Sequence, residues 1–298
     1  MKTQTMQPRH KFFSPARVSA IASNTLLELV RQKVFYFLLI FGVVLIGASF
    51  FMGFLRPELQ FQVLKDISLG AMSVFTWLLA VLATAMLLPK DIEERTLYTI
   101  LAKPVPRFEY LMGKLLGVFL LLAISTAVMG VMFASVLYAK EQLTIAGTIQ
   151  DSKLTDPAQI AEVIKNVKAD TFTWSLIPGV IAIYFKAAIF ASLTLLISTF
   201  ASTWIFTIVV SVAVYVMGHL VPIAREYYLS GATTWFAKGC VALIALMFPD
   251  LQLFDLADDI VAGNAIATGL FLQTLGLGCL YIGVYSSLAY LVFSKKEL

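Results

Sequence analysis

The sequence predicts an all-α membrane protein that crosses the bilayer six times. Of its 298 residues, 59% are hydrophobic and only 13% are charged, whereas about a quarter of the residues in a soluble domain are charged. Several uncharged apolar runs reach the length of about 20 residues that a transmembrane helix needs. These unbroken runs are typical of helices and not of the alternating strands of a barrel. The runs are 34–55, 67–88, 115–139, 187–224 and 260–294.

Residues 1–33 are expected to form a cytoplasmic tail and an interfacial helix before the first span. In "SPARVSAIASNTLLELVRQK", apolar residues recur at helical spacing with charges set among them, a pattern that favours a helix lying in the membrane interface. A polar tail with a chance apolar face is the alternative. The apolar run that follows is too long for the core of a cleavable signal and is expected to stay as the first span.

The remainder, 34–298, is expected to be a single membrane domain of six spans. A polar loop at 139–172 is expected to hold one small helix at most. The small polar stretch "STFASTW" predicts a tight turn between the fourth and fifth spans. The expected spans are 34–54, 67–88, 112–138, 178–198, 203–222 and 268–293.

Lysine and arginine set the expected orientation, because they are enriched in cytoplasmic segments. Placing both termini in the cytoplasm of an inner-membrane protein puts most of these residues inside. A seventh span at 233–248 would instead move the acidic "DLQLFDLADD" inside and "SKKEL" outside. We therefore expect 233–248 to be an outer re-entrant or interfacial helix.

Charge is concentrated in "DIEERTLYTILAKPVPRFEYLMGKLL", residues 91–116. A short amphipathic helix from Asp91 to Ala102 is predicted, with acids in its first turn and Lys103 at its end, both of which complement the helix dipole. Pro104 and Pro106 cannot continue that helix. Such a helix can transmit force from a soluble partner, and the alternative is a solvated loop.

The same segment resembles the "E…GT…ll..PvsR..y..GK" pattern of type 2 ABC exporter permeases, in which it forms the coupling helix that docks on the ATPase subunit. The tail "FSKKEL" and the segment "MFPDLQLFDL" are similar to the corresponding parts of these permeases, and the layout is most similar to the nitrous-oxide-reductase maturation and gliding-motility subgroup. Arg95 stands where glycine is usual. The matching positions are Glu94, Thr96, Pro104, Arg107, Tyr110, Gly113 and Lys114. The ATPase-coupling residues that the resemblance implies are Asp91, Glu93, Glu94, Arg95, Thr96, Lys103, Pro104 and Arg107.

The resemblance also implies partners. The sequence contains no G-x-x-x-x-G-K-[ST] loop, so we expect a non-enzymatic permease subunit that relies on a separate ABC ATPase. Because two nucleotide sites work as a pair, a second permease copy or a related permease is also expected. No cofactor, metal or nucleic-acid partner is expected, since His10 and His219 lie in no ligand cluster and the net charge of +4 reflects topology.

Lys186 is the single charge in the interior of the predicted spans, since Lys114 lies at the cytoplasmic end of the third one. Intramembrane lysines are candidates for function, but this one is expected near the outer end of its span, where it can snorkel to the interface. An ion-coupled secondary transporter would require paired acids or interrupted helices, and the predicted spans contain no Asp or Glu. That class and a non-transport membrane scaffold remain the alternatives.

Overall fold

The protein is a bundle of helices, as predicted. A computed structural model describes residues 14–51, 57–93, 106–151, 157–171, 176–201, 203–230, 251–256, 260 and 268–295, and within these ranges all regular structure is helical. The helices are α1 (Pro15–Val30), α2 (Lys33–Ser49), α3 (Pro57–Ala85), α4 (Leu87–Glu93), α5 (Arg107–Asp151), α6 (Pro157–Thr171), α7 (Leu176–Phe200), α8 (Trp204–Ser230) and α9 (Thr268–Lys295), with a 3-10 turn at Gln252–Phe254.

Four segments of the described chain are long and apolar enough to cross a membrane. They are Gln60–Asp91 in α3 and α4, Arg107–Gln150 in α5, all of α7, and all of α9. The α1–α2 pair passes the same test only as a unit that bends by 69°, and α8 contributes a shorter apolar helix, Trp204–His219. These segments overlap all six predicted spans, but four or five meet the criterion, so the six-span topology stays a prediction.

Two predicted boundaries are wrong. The polar loop expected at 139–172 is helical up to Asp151, because no proline interrupts the backbone hydrogen bonds of α5. The hydroxyls of Thr144 and Thr148 donate to the carbonyls of Lys140 and Thr144 within the same helix. The small helix expected within this loop is present as α6.

The helix expected to begin at Asp91 also differs. Pro89 has no N–H to donate to the carbonyl of Ala85, so α3 ends there and α4 begins at Leu87. Proline is tolerated in the first turn of the new helix. Asp91 therefore lies in the last turn of α4 instead of opening a helix.

The tight turn predicted at "STFASTW" is confirmed. Helix α7 ends at Phe200 and α8 begins at Trp204. The hydroxyl of Thr203 accepts a hydrogen bond from the backbone N–H of Phe206 at 3.3 Å, which satisfies a donor of the first turn of α8. The re-entrant helix expected at 233–248 lies outside the described residues.

Helix α1 packs directly on α5. A methyl group added at Gly113 would lie 2.7 Å from Cβ of Ile21, and one added at Gly117 would lie 2.7 Å from Cβ of Thr25 and 2.9 Å from the carbonyl oxygen of Ala22. Two glycines four residues apart share one face of a helix, and their small size lets backbones approach closely. The N-terminal helix is thus held by the third predicted span.

Candidate functional site

A cluster of charged and polar side chains joins α1, α4 and α5. We call Glu28, Lys90, Asp91, Tyr110 and Lys114 the charged cluster. The ammonium group of Lys114 lies 2.8 Å from Asp91 and 3.6 Å from Glu28, and Lys90 lies 2.8 Å from the other carboxylate oxygen of Glu28. Tyr110 donates a hydrogen bond to Asp91. The cluster connects three helices through alternating charges.

The centre of the cluster is buried and its edge is open. The side chains of Asp91 and Lys114 are 8% and 6% exposed, whereas Glu28 and Lys90 are partly exposed. Breaking a buried pair by removing one partner costs about 3–5 kcal/mol, because it leaves a buried charge without compensation. Asp91 and Lys114 are therefore expected to stay together whenever the helices that carry them move.

Glu28 is held in its ionised form. Helix α1 lies outside the four segments that are long enough to span the membrane by themselves. Burial raises the pKa of the Glu28 carboxyl, but the hydrogen bond from Lys90 and the positive charges of Lys114 and Lys90 outweigh this effect, so the pKa lies below its ordinary value.

A second ion pair attaches the start of α1 to the start of α5. Nε of Arg17 lies 2.6 Å from one carboxylate oxygen of Glu109, and Nη2 lies 2.8 Å from the other. The backbone N–H of Ser14 donates to the same carboxylate at 2.8 Å. This two-point contact fixes the orientation of the guanidinium as well as its distance.

Arg107 attaches the start of α5 to the end of α9. Its Nη1 donates hydrogen bonds to the carbonyl oxygens of Phe293 and Ser294, at 3.2 Å and 2.8 Å. These carbonyls belong to the last turn of α9, where a cation also complements the helix dipole. Nearby, the rings of Tyr110 and Phe293 stack with their centroids 6.1 Å apart.

These contacts lie at both ends of the stretch predicted to couple to an ATPase. Asp91, the first of the predicted coupling residues, lies in α4, and Arg107, the last of them, is the first residue of α5. Glu93 is the last residue of α4. The remaining predicted coupling residues lie outside the described residues: Glu94, Arg95, Thr96, Lys103 and Pro104.

Comparison with protein families assigns the chain to a family. The family model for ABC-2 family transporter proteins matches residues 19–298. The chain belongs to the ABC-2 transporter family. A comparison with curated proteins gave no match.

As a member of this family, the protein is a multi-pass membrane permease of an ABC transporter. Permeases of the ABC-2 family generally work with an ABC ATPase and form dimers. The family assignment does not distinguish the nitrous-oxide-reductase maturation and gliding-motility subgroup, so that likeness rests on layout alone.

The ABC-2 permease places Lys186 differently from the sequence prediction. Its side chain is only 4% exposed, and its ammonium group lies 3.4 Å from a carboxylate oxygen of Asp255. The expected snorkelling is therefore wrong, because the described part of the chain covers the ammonium group and supplies a carboxylate. Asp255 lies just after the 3-10 turn, in the acidic segment that follows residue 250.

Several residues of the site were not predicted as coupling residues. In the sequence, Glu28 precedes the first predicted span and Lys90 follows the second. Glu109 lies in the charged stretch 91–116, and no partner was predicted for it. Their signal is weak, since each is a single charge close to an apolar run. Charges at the ends of apolar runs seldom become fully buried unless they are paired, and this rule singles out Glu109 and Lys114 only once burial is known.

The described residues contain no group of three or more His, Cys, Asp or Glu that could hold a metal ion. The permease site is instead built from alternating acids and bases, together with backbone carbonyls. Such an arrangement holds neighbouring helices in fixed positions relative to one another.

Proposed function

We propose that this permease is the membrane subunit of an ATP-driven exporter, coupled to a separate ATPase through the segment 91–102. It works with a second permease copy, and both termini and the coupling segment lie on the cytoplasmic side of the inner membrane. ATP-driven closure of the ATPase pair pushes on the coupling segments. The helix bundles then shift and open a path between the two permeases.

The arrangement around residues 94–105 is the observation that carries this proposal. On one side of this stretch, Asp91 is paired with Lys114 of α5. On the other side, Arg107 holds the last turn of α9 and Glu109 holds Arg17 of α1. A force applied between these anchors reaches α1, α4, α5 and α9 together.

The energetics favour motion of these helices as a unit. Fully exposed ion pairs contribute about 1 kcal/mol or less and break easily, but buried pairs resist separation. The pair of Asp91 and Lys114 is buried, and the glycine face of α5 holds α1 at close range. We infer that a push on the coupling segment moves this group of helices and is not absorbed within it.

The experiment reverses one charge in the coupling segment. Glu94→Lys sets a base against the groups that an ATPase presents to the permease, and Glu162→Lys on the exposed surface of α6 is the matched control. The tagged permease is purified from its native membranes, and copurifying ATPase and ATP turnover are measured. We expect the wild type and Glu162→Lys to retain both, and Glu94→Lys to insert normally while losing ATPase or permease-dependent turnover.

Full assembly and full transport by both Glu94→Lys and Arg95→Glu would contradict the coupling assignment. An ATPase that is absent from every wild-type preparation would contradict the wider proposal. Among the described residues, the ion pair of Lys186 and Asp255 favours an ion-coupled secondary transporter, since intramembrane ionisable residues can mark the path of coupling ions. That mechanism predicts transport driven by an ion gradient without ATP.

A further inference from the structure

We propose that Lys186 is a buried anion-binding site of the permease, occupied at rest by the carboxylate of Asp255, and that an anionic ligand takes the place of this carboxylate. The site is separate from the proposed coupling segment. The chemistry shared by the possible ligands is a carboxylate, phosphate or sulfate group.

The two partners of this ion pair differ in burial. The Lys186 side chain is 4% exposed, whereas the Asp255 side chain is 47% exposed. Asp255 can move into water at small cost, but Lys186 cannot follow it from the middle of α7. Separation of the pair would therefore leave a buried cation, which is costly until another anion compensates it.

The contact itself is loose. The separation of 3.4 Å between the ammonium nitrogen and the carboxylate oxygen exceeds the 2.7–2.9 Å or so typical of strong charge-assisted hydrogen bonds. By contrast, Lys114 and Asp91 are 2.8 Å apart. A buried ion pair seldom stabilises a protein more than apolar residues of the same size. We therefore assign Lys186 and Asp255 to ligand exchange and not to holding the fold together.

The segment that carries Asp255 is packed between helices by its apolar residues. A methyl group added at Gly278 of α9 would lie 3.2 Å from the ring of Phe254, and one added at Gly179 of α7 would overlap Cδ1 of Ile260. Asp255 thus directly follows Phe254, which packs tightly against α9. A ligand can displace its carboxylate by side-chain rotation while Phe254 stays in place.

A small cavity lies beside the pair. It measures about 30 Å³, and its lining includes Ser73 of α3, Ile183 of α7 and Asp255. This volume holds about one water-sized group. The carboxylate thus borders a space with a second polar side chain, and an incoming anionic group that displaces it requires only local widening.

A second buried donor, on α3, packs against the turn of α7 that follows Lys186. The indole N–H of Trp77 is buried and has no hydrogen-bond partner among the described residues. Trp77 stacks on Tyr215 at 3.8 Å and packs edge-on against Phe190, which lies one turn beyond Lys186 on α7. A buried N–H without a partner costs free energy, and an anionic ligand would satisfy it.

The experiment measures anion binding to the permease alone, so it does not depend on any ATPase. Wild type, Asp255→Asn, the double variant Lys186→Met/Asp255→Asn and the control Glu162→Gln are placed in phosphatidylcholine nanodiscs. One arm adds inorganic phosphate or acetate as a soluble anion, and the other incorporates phosphatidylglycerol as an anionic lipid. The melting temperature is followed against the amount of each probe, because a ligand that binds the folded state stabilises it.

Asp255→Asn empties the site, so we expect half-maximal stabilisation at a probe concentration at least tenfold below that of the wild type and of Glu162→Gln. The double variant should show no response. The arm that responds identifies a soluble or a lipid source of the anion. Equal responses of Asp255→Asn and wild type in both arms, or a response that persists in the double variant, would overturn the proposal.

If Asp255→Asn does not fold, wild type and Lys186→Met decide the question. Lys186→Met removes the buried charge and keeps an apolar side chain of similar length, and the Asp255 that it leaves is 47% exposed and can be solvated by water. Wild type must then respond to a probe and Lys186→Met must not, and equal responses would overturn the proposal. Loss of ATPase coupling in the Glu94→Lys experiment leaves this measurement unaffected, so failure of the anion site and failure of the proposed function are distinguishable.

Discussion

Lys114 of α5 and Asp91 of α4 form a buried ion pair at 2.8 Å, although 22 positions separate them in the sequence. Between them lies the stretch that we propose to contact an ATPase. The pair therefore holds the two ends of this stretch together, and Tyr110 donates a hydrogen bond to the same carboxylate.

Asp91→Asn is expected to destabilise the permease by up to about 3–5 kcal/mol, since it leaves Lys114 buried with only the more distant Glu28 as a counter-charge. The measurement is the free energy of unfolding in mixed detergent. The double variant Asp91→Asn/Lys114→Met removes both charges and should regain much of the loss. Equal stability of Asp91→Asn and wild type would show that the pair does not hold α4 to α5.

Gly117→Ala is expected to lift α1 from α5. The added methyl would meet Thr25 and the carbonyl of Ala22 at under 3 Å, and such overpacking typically costs about 1–3 kcal/mol. Gly276→Ala in α9 is the control, because nothing lies within 4 Å of its added methyl. We expect a lower melting temperature and faster tryptic cleavage at Arg31 in Gly117→Ala alone, and a matching loss in the control would refute a specific contact.

The proposed orientation can be tested by cysteine labelling of intact cells. In a background with Cys240 and Cys279 replaced by alanine, a cysteine at Gln150 near the end of α5 should react with an impermeant maleimide. A cysteine at Thr96 should react only after the membrane is opened. Labelling at position 96 in intact cells would show that the orientation is the reverse of the proposed one.

Local patterns predicted part of this fold well. The turn between α7 and α8 follows from a run of small polar residues that ends in a helix-capping threonine, Thr203. The loop expected after residue 139 was wrong, because no proline follows in α5 and the hydroxyls of Thr144 and Thr148 find partners without leaving the helix. Polarity alone does not end a helix when no residue interrupts its hydrogen bonds.

The candidate site was predictable only in part. The charge near Asp91 is visible in the sequence, but its partners Lys114 and Glu28 come from distant helices and no periodicity relates them. Lys186 stands out as a charge in an apolar run, whereas Asp255 is one of several acids in a segment expected outside the membrane. Pairing of this kind depends on tertiary packing, which a single sequence does not show.

The packing of α1 against Gly113 and Gly117 of α5 affects the order in which the helices assemble during translation. The ribosome synthesises α1 early, but its binding face on α5 emerges only after the two intervening predicted spans. At about 5–20 residues per second, this interval is on the order of ten seconds. During that time the amphipathic α1 must rest elsewhere, and the membrane surface is the partner that suits its apolar face. Helix α1 therefore reaches its native position only after α5 has emerged, although it is translated well before α5.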